Sequence, residues 1–316
     1  MKKKDWNTSI FFFAAVLSAL FTAAFFFLME ETMRVVNEFL LGSFPDSGQI
    51  FGSLRLFCYV AFGVTLILTL LGFIVGKSCP SVVGAIAMYL PTFGYFTITM
   101  IPLAGIGLLR ALWLPLLDFS PSLLKLGDIV FVPFILLVNQ LGYRGYIIII
   151  ENLSWELMAT GVFIFFSGAL TWFYGKFKGC EIVDFWIYKV SRHPQYLGLL
   201  IWSYGLTLLI MFMPQFTGIW FLKILPEPSL PWLIYALTLV AVALNEESKM
   251  AKKYGDRYMK YHSSASFMLP LPKTISRLVT FPIRVLLKKN LPENKKEIAY
   301  TILIYATMLI SLSVFF

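Results

Sequence analysis

Apolar residues in this chain come in long, unbroken runs separated by short polar stretches. The runs are Ile10–Met29, Leu54–Val75, Ile129–Ile150, Trp155–Tyr174, Tyr196–Met213, Leu230–Leu244 and Ala299–Phe316. A helix crossing a hydrocarbon layer about 30 Å thick needs about 20 apolar residues, so each run predicts a membrane-spanning α-helix. Their continuity argues against a barrel, whose strands alternate apolar and polar positions. The stretch between Val82 and Leu117 is also apolar but is broken by Pro91, Gly94, Pro102 and Gly105, and it is too long for one crossing. Read as two crossings it gives nine spans; read as one it gives eight; a re-entrant segment is the third option. The fold class is therefore all-α, a polytopic transmembrane helical bundle of eight or nine spans. A further segment, Lys273–Asn290, mixes apolar residues with Arg277, Arg284, Lys288 and Lys289, the pattern of an amphipathic helix lying in the membrane interface.

Composition supports this class. Of 316 residues 59% are hydrophobic and only 14% charged, with a mean hydropathy of +0.78; soluble domains carry about a quarter charged residues. The net charge of +9 is concentrated in one place. From Lys249 to Glu297 there are twelve Lys or Arg against three acids, which equals the whole excess. The positive-inside rule makes that segment cytoplasmic, and anionic lipid beside it is the expected partner rather than nucleic acid. With the N-terminus inside and nine crossings, the cluster of Lys176, Lys178, Lys189 and Arg192 also falls inside, while Glu30, Glu31, Glu38 and Asp46 fall outside. This reading places a turn at about Glu151–Ser154. Lys2, Lys3 and Lys4 lead directly into the first long run without a clean cleavage site, so that run is expected to stay as a membrane helix. Three scattered cysteines make no disulfide framework, and two histidines are too few for a His-rich metal site.

Two polar clusters carry the chemistry. The first, Tyr188-Lys-Val-Ser-Arg192-His193-Pro194-Gln-Tyr196-Leu197-Gly198, runs straight into a membrane helix. Proline suits a helix start, where its missing N–H costs nothing, and free backbone donors there can meet a ligand oxygen. The same letters also suit an ordinary interfacial anchor. The second cluster, Asn245-Glu246-Glu247, ends the return helix of the hairpin formed by Tyr196–Met213 and Leu230–Leu244. Adjacent acids at a bilayer edge are costly unless they meet a cation or water. One hairpin brings both clusters to one face of the membrane.

Arg-His-Pro-x-Tyr-x-Gly, a membrane hairpin, then Glu-Glu followed by Met250, Tyr254-Gly255, Tyr258 and Tyr261 resembles the isoprenylcysteine carboxyl methyltransferase and phospholipid methyltransferase superfamily, over roughly Trp155 to Pro272. The resemblance implies a helical membrane core that binds S-adenosylmethionine at its cytosolic face, with a lipid or prenylated methyl acceptor. It implies that His193, Pro194, Tyr196, Leu197 and Gly198 line the adenosine end. Glu246 and Glu247 would hold the amino acid portion or face the sulfonium, Tyr188 would join the cofactor site, and Glu247 and Arg192 would stand nearest the reaction. Two departures stand out. The family's Gly-Pro before the first Tyr is Trp186-Ile187 here, and the Arg six residues after the last Tyr is Phe267. The second puts the acceptor in question, because that Arg belongs to the substrate side.

Methyl transfer from a sulfonium asks the protein to align two groups and exclude water. A carboxylate in a low-dielectric site favours a bound cation. The organisation expected is an N-terminal transmembrane region (1–150) without a readable motif, a methyltransferase-like core (151–272), and an amphipathic segment with a final helix (273–316). The membrane is the inner membrane of a prokaryote or the endoplasmic reticulum of a eukaryote. The competing enzyme class is an NADPH-dependent reductase of the sterol-reductase type, which carries a similar Arg-His-Pro motif but differs at the paired acids. His262, in the basic tail, is expected to be solvated.

Overall fold

A computed structural model describes residues 8–23, 119–212, 229–272 and 292–315, with a few isolated positions besides. All regular structure among these residues is helical: α1 (Thr8–Ala23), α2 (Val132–Phe177), α3 (Pro194–Phe212), α4 (Ser229–Ser264) and α5 (Lys295–Ser313), joined in places by short 3-10 turns. Among the described residues three helical stretches are long and apolar enough to cross a membrane: Ile148–Phe177 in α2, then Ser229–Ser264 and Lys295–Ser313. The runs expected at Leu54–Val75 and Val82–Leu117 and the amphipathic segment at Lys273–Asn290 lie outside the described residues, apart from those isolated positions.

One expected boundary is corrected. The turn placed at Glu151–Ser154 is absent, and helix α2 runs through it as part of a 46-residue element. Glu151, Asn152 and Ser154 are polar, but none of them breaks a helix as Gly or Pro would. The run is nevertheless bent. Phe134 packs 5.9 Å from the Tyr204 ring, and Ser154 O lies 2.7 Å from where a Cβ on Gly205 would be. A straight helix would hold Phe134 and Ser154 about 30 Å apart, so the axis turns between them.

Helices α2 and α3 run antiparallel in close contact. Gly161 faces Gly198 and Trp202, Gly168 faces Pro194 and Gln195, and Ser154 faces Gly205. Small residues at such crossings let the backbones approach, which in lipid is the main source of helix association. Helix α1 joins through Ser18, whose hydroxyl donates to Phe166 O at 3.0 Å, and through Phe21 stacked on Phe165. Helix α5 begins with a side-chain cap. Asn294 accepts from Glu297 N at 2.9 Å, which satisfies a donor that a helix start leaves open, and Glu297 Oε2 reaches past the cap to accept from Glu293 N at 2.7 Å. Ile298 then packs against Ala241 and Leu244 of α4.

Midway along α3, Tyr204 donates its hydroxyl to Val130 O at 2.7 Å and lays its ring against Phe131 and Trp232. Nearby Ser229 donates to the buried Asp128 at 2.5 Å. These contacts hold the start of α4 beside the middle of α3. The first turn of α3 and the middle of α4, which carry the polar clusters, are neighbours in turn through Tyr196 and Glu246.

Candidate functional site

Helix α4 changes direction at Gly255, with φ 52° and ψ −132°. This is a backbone region that only glycine occupies cheaply. The bend turns the last residues of the helix back beneath the start of α3. There the chain is clasped by a short parallel bridge, in which Arg192 N donates to Ser266 O at 2.9 Å and Ser266 N to Val190 O at 3.3 Å. Tyr261 adds a hydrogen bond to Tyr188 O at 2.9 Å. Gly255→Ala is therefore expected to cost about 1–3 kcal/mol through strain alone, because nothing lies within 4 Å of the added methyl. A thermal unfolding scan of the purified variant checks this.

At the centre of the clasp is Glu247, only 1% exposed. Its Oε1 accepts from Arg192 Nε at 2.5 Å and lies 3.2 Å from His193 Nε2. His262 Nε2 is 3.4 Å from Oε2, an atom that makes no hydrogen bond of good geometry. The chain has two histidines, and both meet on this one carboxylate. Arg192 also donates through Nη1 to His262 O at 2.7 Å and to Ala265 O, so it binds the carbonyls that end α4, where a cation is favoured. Phe267 closes the group, with Arg192 over its ring at 5.8 Å and His193 edge-on at 5.3 Å. A buried charge is tolerable only when paired and hydrogen-bonded, and the cluster meets that condition from three sides.

Glu246 is placed differently. Its side chain is 41% exposed. Oε1 accepts from Tyr196 at 2.8 Å, whereas among the described residues Oε2 has only His193 Nδ1 at 3.9 Å and makes no hydrogen bond. Glu246 lies in the wall of a cavity of about 540 Å³ bounded by α2, the linker after it, the start of α3 and the cavity-facing side of α4. Tyr188, Tyr254 and Trp172 give the wall flat apolar faces. Burial pushes the Tyr188 phenol well above its ordinary pKa, aided by Tyr261 and Glu246, so its hydroxyl stays protonated.

Of the residues singled out by sequence, Tyr188, Arg192, His193, Tyr196, Glu246 and Glu247 are brought together around this cavity. Pro194, Leu197 and Gly198 are not in its wall. Pro194 starts α3 against Gly168, Leu197 is buried with Ala243 and Met268, and Gly198 abuts Gly161 and Phe165. Arg192 and Glu247 also bond each other, and Arg192 bonds the carbonyls of the clasp. His262, expected in solvent, is mostly buried on Glu247; its adjacency to Tyr261 was the one sequence signal for it. Trp186 has φ 48°, a left-handed conformation that costs residues other than glycine about 1–2 kcal/mol. Stacking on Tyr174 at 4.9 Å and contact with Phe11 hold it there. Comparison with protein-family models, with curated proteins and with solved structures finds no match to this chain.

Proposed function

We propose that the chain is an integral membrane methyltransferase that binds S-adenosylmethionine in this cavity, at the cytosolic face, and methylates a lipidic or prenylated acceptor. One observation carries the reading: the Arg192–His193 turn and the Glu246–Glu247 pair, fifty residues apart in the chain, border one cavity. Its volume is in the range that encloses a ligand of drug size. The residues fit such a cofactor. Glu246 offers an unbonded carboxylate oxygen to a cationic centre, and Tyr188 and Tyr254 offer faces to a purine. When bound, the cofactor supplies a methyl group made electrophilic by its sulfonium.

The chain's own part is binding and alignment. Tyr196 fixes the rotamer of Glu246 by its hydrogen bond. Glu247 fixes Arg192 and His193, and so fixes the start of α3. Phe267 covers the cluster on one side and keeps water from it. Calorimetry on the purified full chain tests the proposal. Micromolar binding of S-adenosylmethionine is expected, weakened in Glu246→Gln by about 1.5–3 kcal/mol, the value of a hydrogen bond to a charged group. Binding of NADPH in place of S-adenosylmethionine would overturn the reading in favour of a reductase.

A further inference from the structure

The cavity wall is divided in charge. Glu246, Met250 and Lys253 recur at the spacing of one helix face, so α4 presents an acid and, two turns on and about 10 Å away, an ammonium group. Across the cavity α2 presents Trp172 and Lys176. Lys176 Nζ rests 5.7 Å from the Trp172 ring centre and Lys253 Nζ 5.0 Å from that of Tyr254. Among the described residues neither lysine makes a salt bridge: Glu247 is paired with Arg192 and Glu181 with Arg257, while Glu246 sits about 10 Å along α4 from Lys253. Among the described residues, two ammonium groups on separate helices thus face one cavity with no carboxylate within salt-bridge distance of either. Both follow apolar stretches long enough to span a bilayer, which is headgroup level. Among the described residues, helix α3 packs on both α2 and α4, while α2 and α4 barely meet.

We infer that Lys176 and Lys253 form a basic pole that takes the anionic headgroup of a membrane-borne amphiphile, making the methyl acceptor an anionic lipid. Calling that lipid the acceptor rests on the function proposed above; the binding site itself does not. The test uses the full chain in detergent with three probes: dihexanoyl phosphatidic acid, neutral dihexanoylglycerol and inorganic phosphate. Phosphatidic acid is expected to bind saturably, and to bind roughly tenfold or more weakly to Lys176→Gln/Lys253→Gln. Lys252→Gln/Lys260→Gln, which removes two exposed lysines outside the wall, is expected to bind as the parent does. S-adenosylmethionine affinity is expected to be equal in all three proteins. Equal loss of phosphatidic acid in both double variants, no loss in either, equally tight inorganic phosphate, or a loss confined to S-adenosylmethionine would each overturn the inference. A parent protein that binds phosphatidic acid at these lysines but no S-adenosylmethionine would end the enzyme reading and leave a lipid site standing.

Discussion

Glu247→Ala is expected to lower the unfolding temperature of the purified protein by roughly 10 °C, following a loss of about 3–5 kcal/mol. The cost comes less from the lost contact than from what stays behind. Arg192 is 8% exposed, and without its carboxylate it remains a buried cation bound only to carbonyls. The two imidazoles lose their shared partner as well. Glu247→Gln keeps the shape and an acceptor oxygen, and should fall between parent and alanine variant. The neighbouring Glu246→Gln removes only a half-exposed charge and should leave the unfolding temperature within a degree or two while weakening ligand binding. A large thermal loss at position 246 with none at 247 would reverse this division between adjacent acids.

The second large effect is expected at Gly198. A Cβ there would stand 2.6 Å from Gly161 O and from Phe165 N. Both are backbone atoms, so no side chain can swing aside. Gly198→Leu must force α2 and α3 apart along their shared crossing, and overpacking of this kind costs about 1–3 kcal/mol or more. Size-exclusion recovery and thermal unfolding in detergent read the result. Gly198→Ala should show the same effect in smaller degree. Because Gly198 lies outside the cavity wall, whatever folded fraction remains is expected to bind S-adenosylmethionine with parental affinity. Normal stability with lost binding would return Gly198 to the ligand site.

Run lengths alone located α3, α4 and α5, since an apolar stretch of bilayer length has few other fates. The meeting of the two polar clusters was legible too, because a hairpin must return its second leg to the face it left. Other features could not be read. The letters at Glu151–Ser154 look like an interface, yet polar residues without Gly or Pro continue a helix without difficulty. In the Tyr196-Leu197-Gly198 motif each residue is turned about 100° from the last, so neighbours in sequence face α4, the core and α2 in succession. His262 lies beyond a glycine bend whose angle no spacing rule gives, which is why it read as a tail residue. Trp186 is another such case. A tryptophan gives no sign of an unusual backbone in the sequence, yet the backbone at that position has a glycine-like angle.

The convergence of the protein's whole histidine supply on one buried acid makes it a natural reporter. In a sample labelled only at imidazole nitrogens, the magnetic resonance spectrum would contain just two side-chain spin systems, and both would originate within a few ångströms of Glu247. No assignment campaign across a large micelle-bound helical protein would be needed to follow the clasp during titration with any candidate ligand.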